Sequence, residues 1–174
     1  MTQGTGGAAT GLIWGIKASF LSYLARMPDL QSSVADGAVT TPANGFYFPL
    51  VSAAEYDAGT GLGTLRFGGD VRFSAHHGML FVMFAQPWLE LTAGTAVLSV
   101  ADPASYPTLD KRVPLLDVEV RAWVRHGDAR AWPALATTLR PEAVELFNDV
   151  YAAGEPFEPL DVRAVVDEPR EGSA

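Results

Sequence analysis

Ser19 and Tyr23, in the stretch WGIKASFLSYL at residues 14–24, stand at i and i+4. On a helix they place a hydroxyl and a phenol on one face, one turn apart. Phe20, Leu21 and Leu24 supply the apolar contacts that hold such a helix down. A phenol ionises only near pH 10 in water; once ionised it is a hard oxygen ligand for ferric iron. Two later segments carry groups of related chemistry. VRFSAHHGML, residues 71–80, ends a strand-like run in the pair His76 and His77, and an imidazole serves as metal ligand, hydrogen-bond partner or acid–base group. FNDVYAAGEPFEPL, residues 147–160, places Tyr151 just after a helix-like run. An isolated tyrosine on a short amphipathic helix is ordinarily a packing residue with a polar tip, so it is the three segments together that point to a site.

The elements that must position these groups belong to a small folded chain. Its 174 residues are 48% aliphatic or aromatic and 18% charged, a balance that gives one domain burying about two-thirds of its unfolded surface. A net charge of -8 and a pI near 4.7, with Lys17 and Lys111 the only lysines, argue against nucleic acid or an anionic membrane surface as partner. There is no cysteine, which excludes disulfides, thiolate chemistry and Cys-ligated metals. No apolar run approaches the length of a membrane span, and the N-terminal residues have no basic n-region and an apolar stretch too short for a signal peptide. The expected location is the cytoplasm if Met1 is the native start, or the cell surface or exterior if a signal and an anchor have been removed.

Residues 1–10 read as a flexible N-terminus, 11–167 as the domain and 168–174 as a charged tail. A short helix over 15–26 should stop near Pro28, because proline cannot continue the ladder. Short β-like runs follow at 45–51, 63–67, 71–75, 79–84, 88–92 and 96–101, punctuated by GTGLG, FGGD, HHG and TAG turns. Residues 53–58 read as a further edge strand, 102–112 as a loop, 113–124 as a strand pair, 132–139 and 160–166 as strands. Pro141 fits the first position of a second helix of about ten residues. The pattern predicts a mainly β fold, an antiparallel two-sheet β-sandwich or open barrel with two short α-helices. The glycine turns do not sit in a strand–helix unit with GxGxxG spacing, so they are not a nucleotide site.

In order and spacing, from about residue 12 to 166, the WGIKASF…Y opening, the histidine pair and the second tyrosine resemble the HtaA-type haem-binding domain of bacterial haem-uptake proteins. The resemblance implies that Tyr23 is the axial ligand of a ferric haem b iron, with His76 hydrogen-bonded to the tyrosine oxygen. The family pattern Gly-His-x-Gly maps onto 75–78 and selects His76, with Ala75 in place of the first glycine. Strand alternation divides the segment differently. Val71, Phe73 and Ala75 share a face that continues to His77, and Arg72, Ser74 and His76 share the other. The resemblance also places Tyr151 against the macrocycle, with Val150 where an aromatic often stands. Ser19, one turn from the ligand on the same face, is the candidate partner for a haem propionate.

The function implied is non-enzymatic: haem uptake, transfer or buffering, with haem donor and acceptor proteins as partners and pairing of two copies left open. A peroxidase- or catalase-like enzyme is the competing reading, for which no distal Arg–His pair stands out. A β-rich interaction module without haem is the third.

Overall fold

The computed structural model describes residues 10–168. The strands are β1 (Gly11–Trp14), β2 (Gln31–Ala35), β3 (Val39–Thr40), β4 (Phe46–Asp57), β5 (Leu62–Phe67), β6 (Asp70–Ala75) and β7 (Leu80–Ala85). They continue as β8 (Trp88–Thr92), β9 (Thr95–Ala101), β10 (Arg112–Val118), β11 (Val124–His126), β12 (Ala129–Leu139) and β13 (Pro156–Ala164). One α-helix, α1 (Ala18–Ala25), follows β1.

Strands β1, β13, β12, β10, β9, β8, β5 and β4 pair antiparallel in that order, and β4 pairs back to β1. The result is a closed eight-stranded barrel, with β3 and β11 attached to β4 and β12. The expected sandwich or open barrel is therefore corrected: the main sheet has no free edge at its seam. The closing stave is β1, which lies outside the strands expected from the sequence. Leu12 faces Val162 on one side and Phe48 on the other. Leu12 and Trp14 are buried while Ile13 is exposed, the alternation of a strand with one face inward.

A separate three-stranded sheet runs β2-β6-β7. Val71, Phe73 and Ala75 of β6 are buried, as strand alternation requires. Phe84 meets Trp14 edge-on at 5.3 Å, and Phe73 meets Phe46 at 5.7 Å, so this sheet and the barrel share one core. Residues 45–51 and 53–58 form the single strand β4, bent by two register shifts, instead of a strand and a separate edge. Of the pair expected over 113–124, β10 takes the first half, paired with β9 and β12, and β11 begins only at Val124, after the irregular residues 119–123.

The second helix differs too. Pro141–Phe147 is a 3-10 helix that ends at Asn148 and Asp149, both left-handed with φ of 52° and 58°. It is not a ten-residue α-helix, because the backbone reverses before residue 150. Its work is done by Phe147, 1% exposed. That ring makes edge contacts with Phe20 at 5.2 Å and Phe157 at 5.0 Å, and lies 5.8 Å from Phe84. It thereby joins α1, the barrel and the small sheet.

Residues 1–9 of the expected flexible N-terminus and 169–174 of the charged tail lie outside the described residues. Thr10 is tied down, its carbonyl accepting the Tyr47 hydroxyl at 2.7 Å. Glu168 is engaged as well, at 2.6 Å and 2.9 Å from the Arg130 guanidinium. Arg130 is 3% exposed and also donates to the Tyr56 hydroxyl and the Ala58 carbonyl, both at 3.0 Å. A buried cation requires such pairing. Among the described residues no helix is long and apolar enough to cross a membrane.

Phe147→Ala removes the ring common to three elements and should lower the unfolding free energy by about 3–5 kcal/mol, the usual cost of an aromatic cavity. Denaturant unfolding measures it; a loss below about 1 kcal/mol would show that the cluster repacks.

Candidate functional site

The helix that carries Ser19 and Tyr23 has no side-chain cap of its own at Lys17. Its start is held from β13 instead. The Ala18 N–H donates to the Glu158 carboxylate at 3.3 Å, the Glu158 N–H to the Ile16 carbonyl at 2.9 Å, and the Trp14 indole to the Glu158 carbonyl at 3.1 Å. Gly15 leaves room for that side chain, since a Cβ there would come within 3.3 Å of the Glu158 Cγ. Lys17 adds a bond to the Pro156 carbonyl at 2.7 Å and an ion pair to Glu155 at 3.3 Å. A carboxylate at the first turn also suits the helix dipole. Phe20 and Leu24 are buried, which turns Ser19 and Tyr23 outward; Tyr23 is 46% exposed.

The strand β6 ends at Ala75, in ordinary extended backbone with φ of -157°, so alanine serves there where the family pattern has glycine. His76, His77 and Gly78 then all have positive φ, at 51°, 56° and 85°. This left-handed turn ends the strand alternation before it reaches either histidine. It aims the His76 ring at α1, where Nε2 lies 3.3 Å from the Tyr23 hydroxyl. His77 faces the other way in its bonding: its backbone N–H donates to the Asp29 carboxylate at 2.8 Å. Each non-glycine residue held left-handed costs about 1–2 kcal/mol, so contacts from outside must fix the turn.

Tyr23, Asp29, His76, His77 and Asn148 line a cleft of about 690 Å³, with Pro28, Met79 and Leu80 as its apolar walls. Met79 is 87% exposed and Tyr23 half-exposed, so the cleft opens to solvent. Ser19 and Tyr151 meet one turn away, hydroxyl to hydroxyl at 2.8 Å, outside that lining. The Tyr151 ring packs edge-on to Phe147 and Phe157, with the Lys17 ammonium 5.2 Å from its centroid. Val150 is 66% exposed. Four of the five residues singled out in the sequence thus form two contacts from successive turns of α1, with Val150 outside both. Asp29, Asn148 and Met79 were not anticipated. Asp29 and Asn148 lie in irregular segments whose spacing carries no signal.

The His77 N–H, aided by that of His76, holds the Asp29 carboxyl below its ordinary value of 3.8. Asp29 is half-buried. A lowered carboxyl value stabilises the folded turn above the ordinary value, and that contribution is lost as pH falls through the lowered one.

The barrel, the cleft and the phenol–imidazole pair define the molecule as a β-barrel domain with an open tyrosine–histidine cleft. The HtaA family model (Htaa) matches residues 9–163, and the chain belongs to the HtaA family. The N-terminal domain of HtaA from Corynebacterium glutamicum is similar in structure, with a TM-score of 0.73 at 19% identity, covering 93% of this chain and 99% of that one. The C-terminal domain of the same protein gives 0.70 at 21% identity over 90% and 96%. The heme binding protein HtaB from the same organism gives 0.63 at 18% identity over 88% and 90%. These likenesses establish the shared fold. No curated protein matches the chain in sequence.

From the Asp29 contact, the His77 amide should keep its protection from hydrogen exchange, corrected for intrinsic rate, from neutral pH to about 4 and lose it below. Loss centred near 6.5, where an ordinary imidazole charges, would show that a histidine and not Asp29 holds the turn.

Proposed function

We propose that this chain binds ferric haem in the Tyr23 cleft and serves its uptake, transfer or buffering as a carrier, not a catalyst. The observation that carries the reading is the half-exposed Tyr23 phenol within hydrogen-bond distance of the His76 Nε2 at an apolar-walled cleft. The donor set fits the ligand, because phenolate oxygen is a hard donor suited to ferric iron. Family membership and the structural likeness to the heme binding protein HtaB support it. The chain has no cysteine for a thioether link, which favours non-covalent haem b.

Each residue then has a definable task. When bound, the ferric iron supplies Lewis acidity that favours the ionised phenol. Tyr23 provides the oxygen ligand from a helix anchored at both ends of its buried face. His76, with Nε2 protonated, donates to the phenolate oxygen, orienting it and spreading its charge, as outer partners of metal ligands do. Pro28, Met79 and Leu80 give apolar contact to a flat macrocycle and thin the water around the ligand bond. Ser19 retains a proton for a carboxylate if Tyr151 donates within their pair, since each hydroxyl is both donor and acceptor. Exposure of the phenol suits hand-over, because an entering acceptor or a proton can reach the ligand oxygen.

Ferric haem titration followed by absorption tests the assignment. Tyr23→Ala should lose most binding and the charge-transfer band of tyrosinate ligation; an unchanged band would sink it. His76→Ala should weaken retention about 10–100-fold and shift the band without abolishing binding. His77→Ala should change retention much less, and the opposite ranking would assign the partner role to His77.

A further inference from the structure

We propose that Asp29 is the positioning residue of the Tyr23–His76 pair, its carboxylate clasping the left-handed histidine turn to the loop that leaves α1. The proposal rests on the haem-binding reading and deepens it, adding a residue that need not touch the ligand. Tyr23 and Asp29 belong to one segment, the end of α1 and its exit loop, and His76 and His77 to another, the β6–β7 turn. Two bonds join these segments at the cleft: Tyr23 hydroxyl with His76 Nε2 at 3.3 Å, and His77 N–H to Asp29 Oδ2 at 2.8 Å. The first is long and lies between two exposed side chains, so it is the weaker of the two. The second is short and charge-assisted.

The turn needs an external clasp. Its three consecutive residues have φ of 51°, 56° and 85°, and two of them are not glycine. Its own closing bond, Met79 N–H to the His76 carbonyl at 3.0 Å, is local and does not orient the turn toward α1. Successive backbone N–H groups in a turn form a concavity for an anion, and here those of His76 and His77 face the Asp29 carboxylate. Among the described residues Asp29 forms no ion pair with a lysine or arginine, and its hydrogen-bonded partner is this backbone. Fixing the turn fixes where the His76 ring stands relative to the phenol.

The experiment compares native protein with Asp29→Ala and Asp29→Asn, the latter keeping an acceptor oxygen without the charge. In haem-free protein, the ring nitrogens of His76 and the His77 amide are followed by NMR. Asp29→Ala should move the His76 ring signals toward those of a free imidazole and speed His77 amide exchange about tenfold or more, with Asp29→Asn between Ala and native. In haem-loaded protein, Asp29→Ala should raise the haem dissociation rate and shift the charge-transfer band in the direction of His76→Ala. Added to His76→Ala it should do little more, because residues acting through one contact are not additive. The clasp is overturned if both Asp29 variants leave the ring signals and amide exchange as in native protein. It is overturned equally if Asp29→Ala has the same effect on haem release with and without His76. If native protein binds no haem, the haem-binding reading falls while the haem-free arm still decides the clasp.

Discussion

Strand β1 is hydrogen-bonded along both edges, to β13 on one side and β4 on the other. Four residues thereby close an eight-stranded barrel, and closure removes the unpaired edge that an open sheet would expose. The same four residues set the start of the helix that carries Tyr23. Trp14 is bonded through its indole to Glu158, the backbone turns at Ile16 with φ of 60°, and α1 begins at Ala18. A helix of eight residues is too short to be stable alone. It exists here because β13 holds its first turn and the core shared by the barrel and the small sheet holds Phe20 and Leu24. Position and persistence of the Tyr23 phenol both follow from the seam.

The second layer of support is aromatic. Phe147 lies against Phe20 of the helix, Phe84 of the small sheet and Phe157 of β13. Edge contacts of this kind add about 0.5–1.5 kcal/mol per pair beyond area burial. Their more important effect is geometric, because the helix bearing Tyr23 and the sheet bearing His76 pack on one ring. Neither can shift without disturbing that packing. The phenol and the imidazole meet because their parent elements share a core, not because they are near in sequence.

Against this well-packed frame, the cleft collects what the rest of the fold avoids. Its phenol and Met79 are exposed, its two histidines are left-handed, and its hydrogen bond between side chains is long. Strained backbone persists only where the surroundings over-determine it. Here the surroundings are β6, β7 and the Asp29 carboxylate. At Arg130, by contrast, buried charge is matched, the guanidinium being shared among Glu168, Tyr56 and Ala58.

Local alternation in the sequence was enough to mark β6, β8 and β9, and i, i+4 spacing enough to put Ser19 and Tyr23 on one outward helix face. Those features depend on periodicities of neighbouring residues, which the chain carries wherever one face is buried. Closure of the barrel was not legible, because it depends on Leu12 finding both Val162 and Phe48, and no local pattern encodes a partner that distant. The second helix misled for a related reason: helical propensity continued past Phe147, while Asn148 and Asp149 took left-handed backbone. Between His76 and His77, strand alternation and the family pattern disagreed, since alternation assumes that the strand continues. The tertiary structure ended it at Ala75 and brought His76 to Tyr23 and His77 to Asp29. Residue types and face were therefore determined by the sequence itself. Which groups meet was decided by long-range packing, because contact between separate elements is a property of the closed core and not of any one segment.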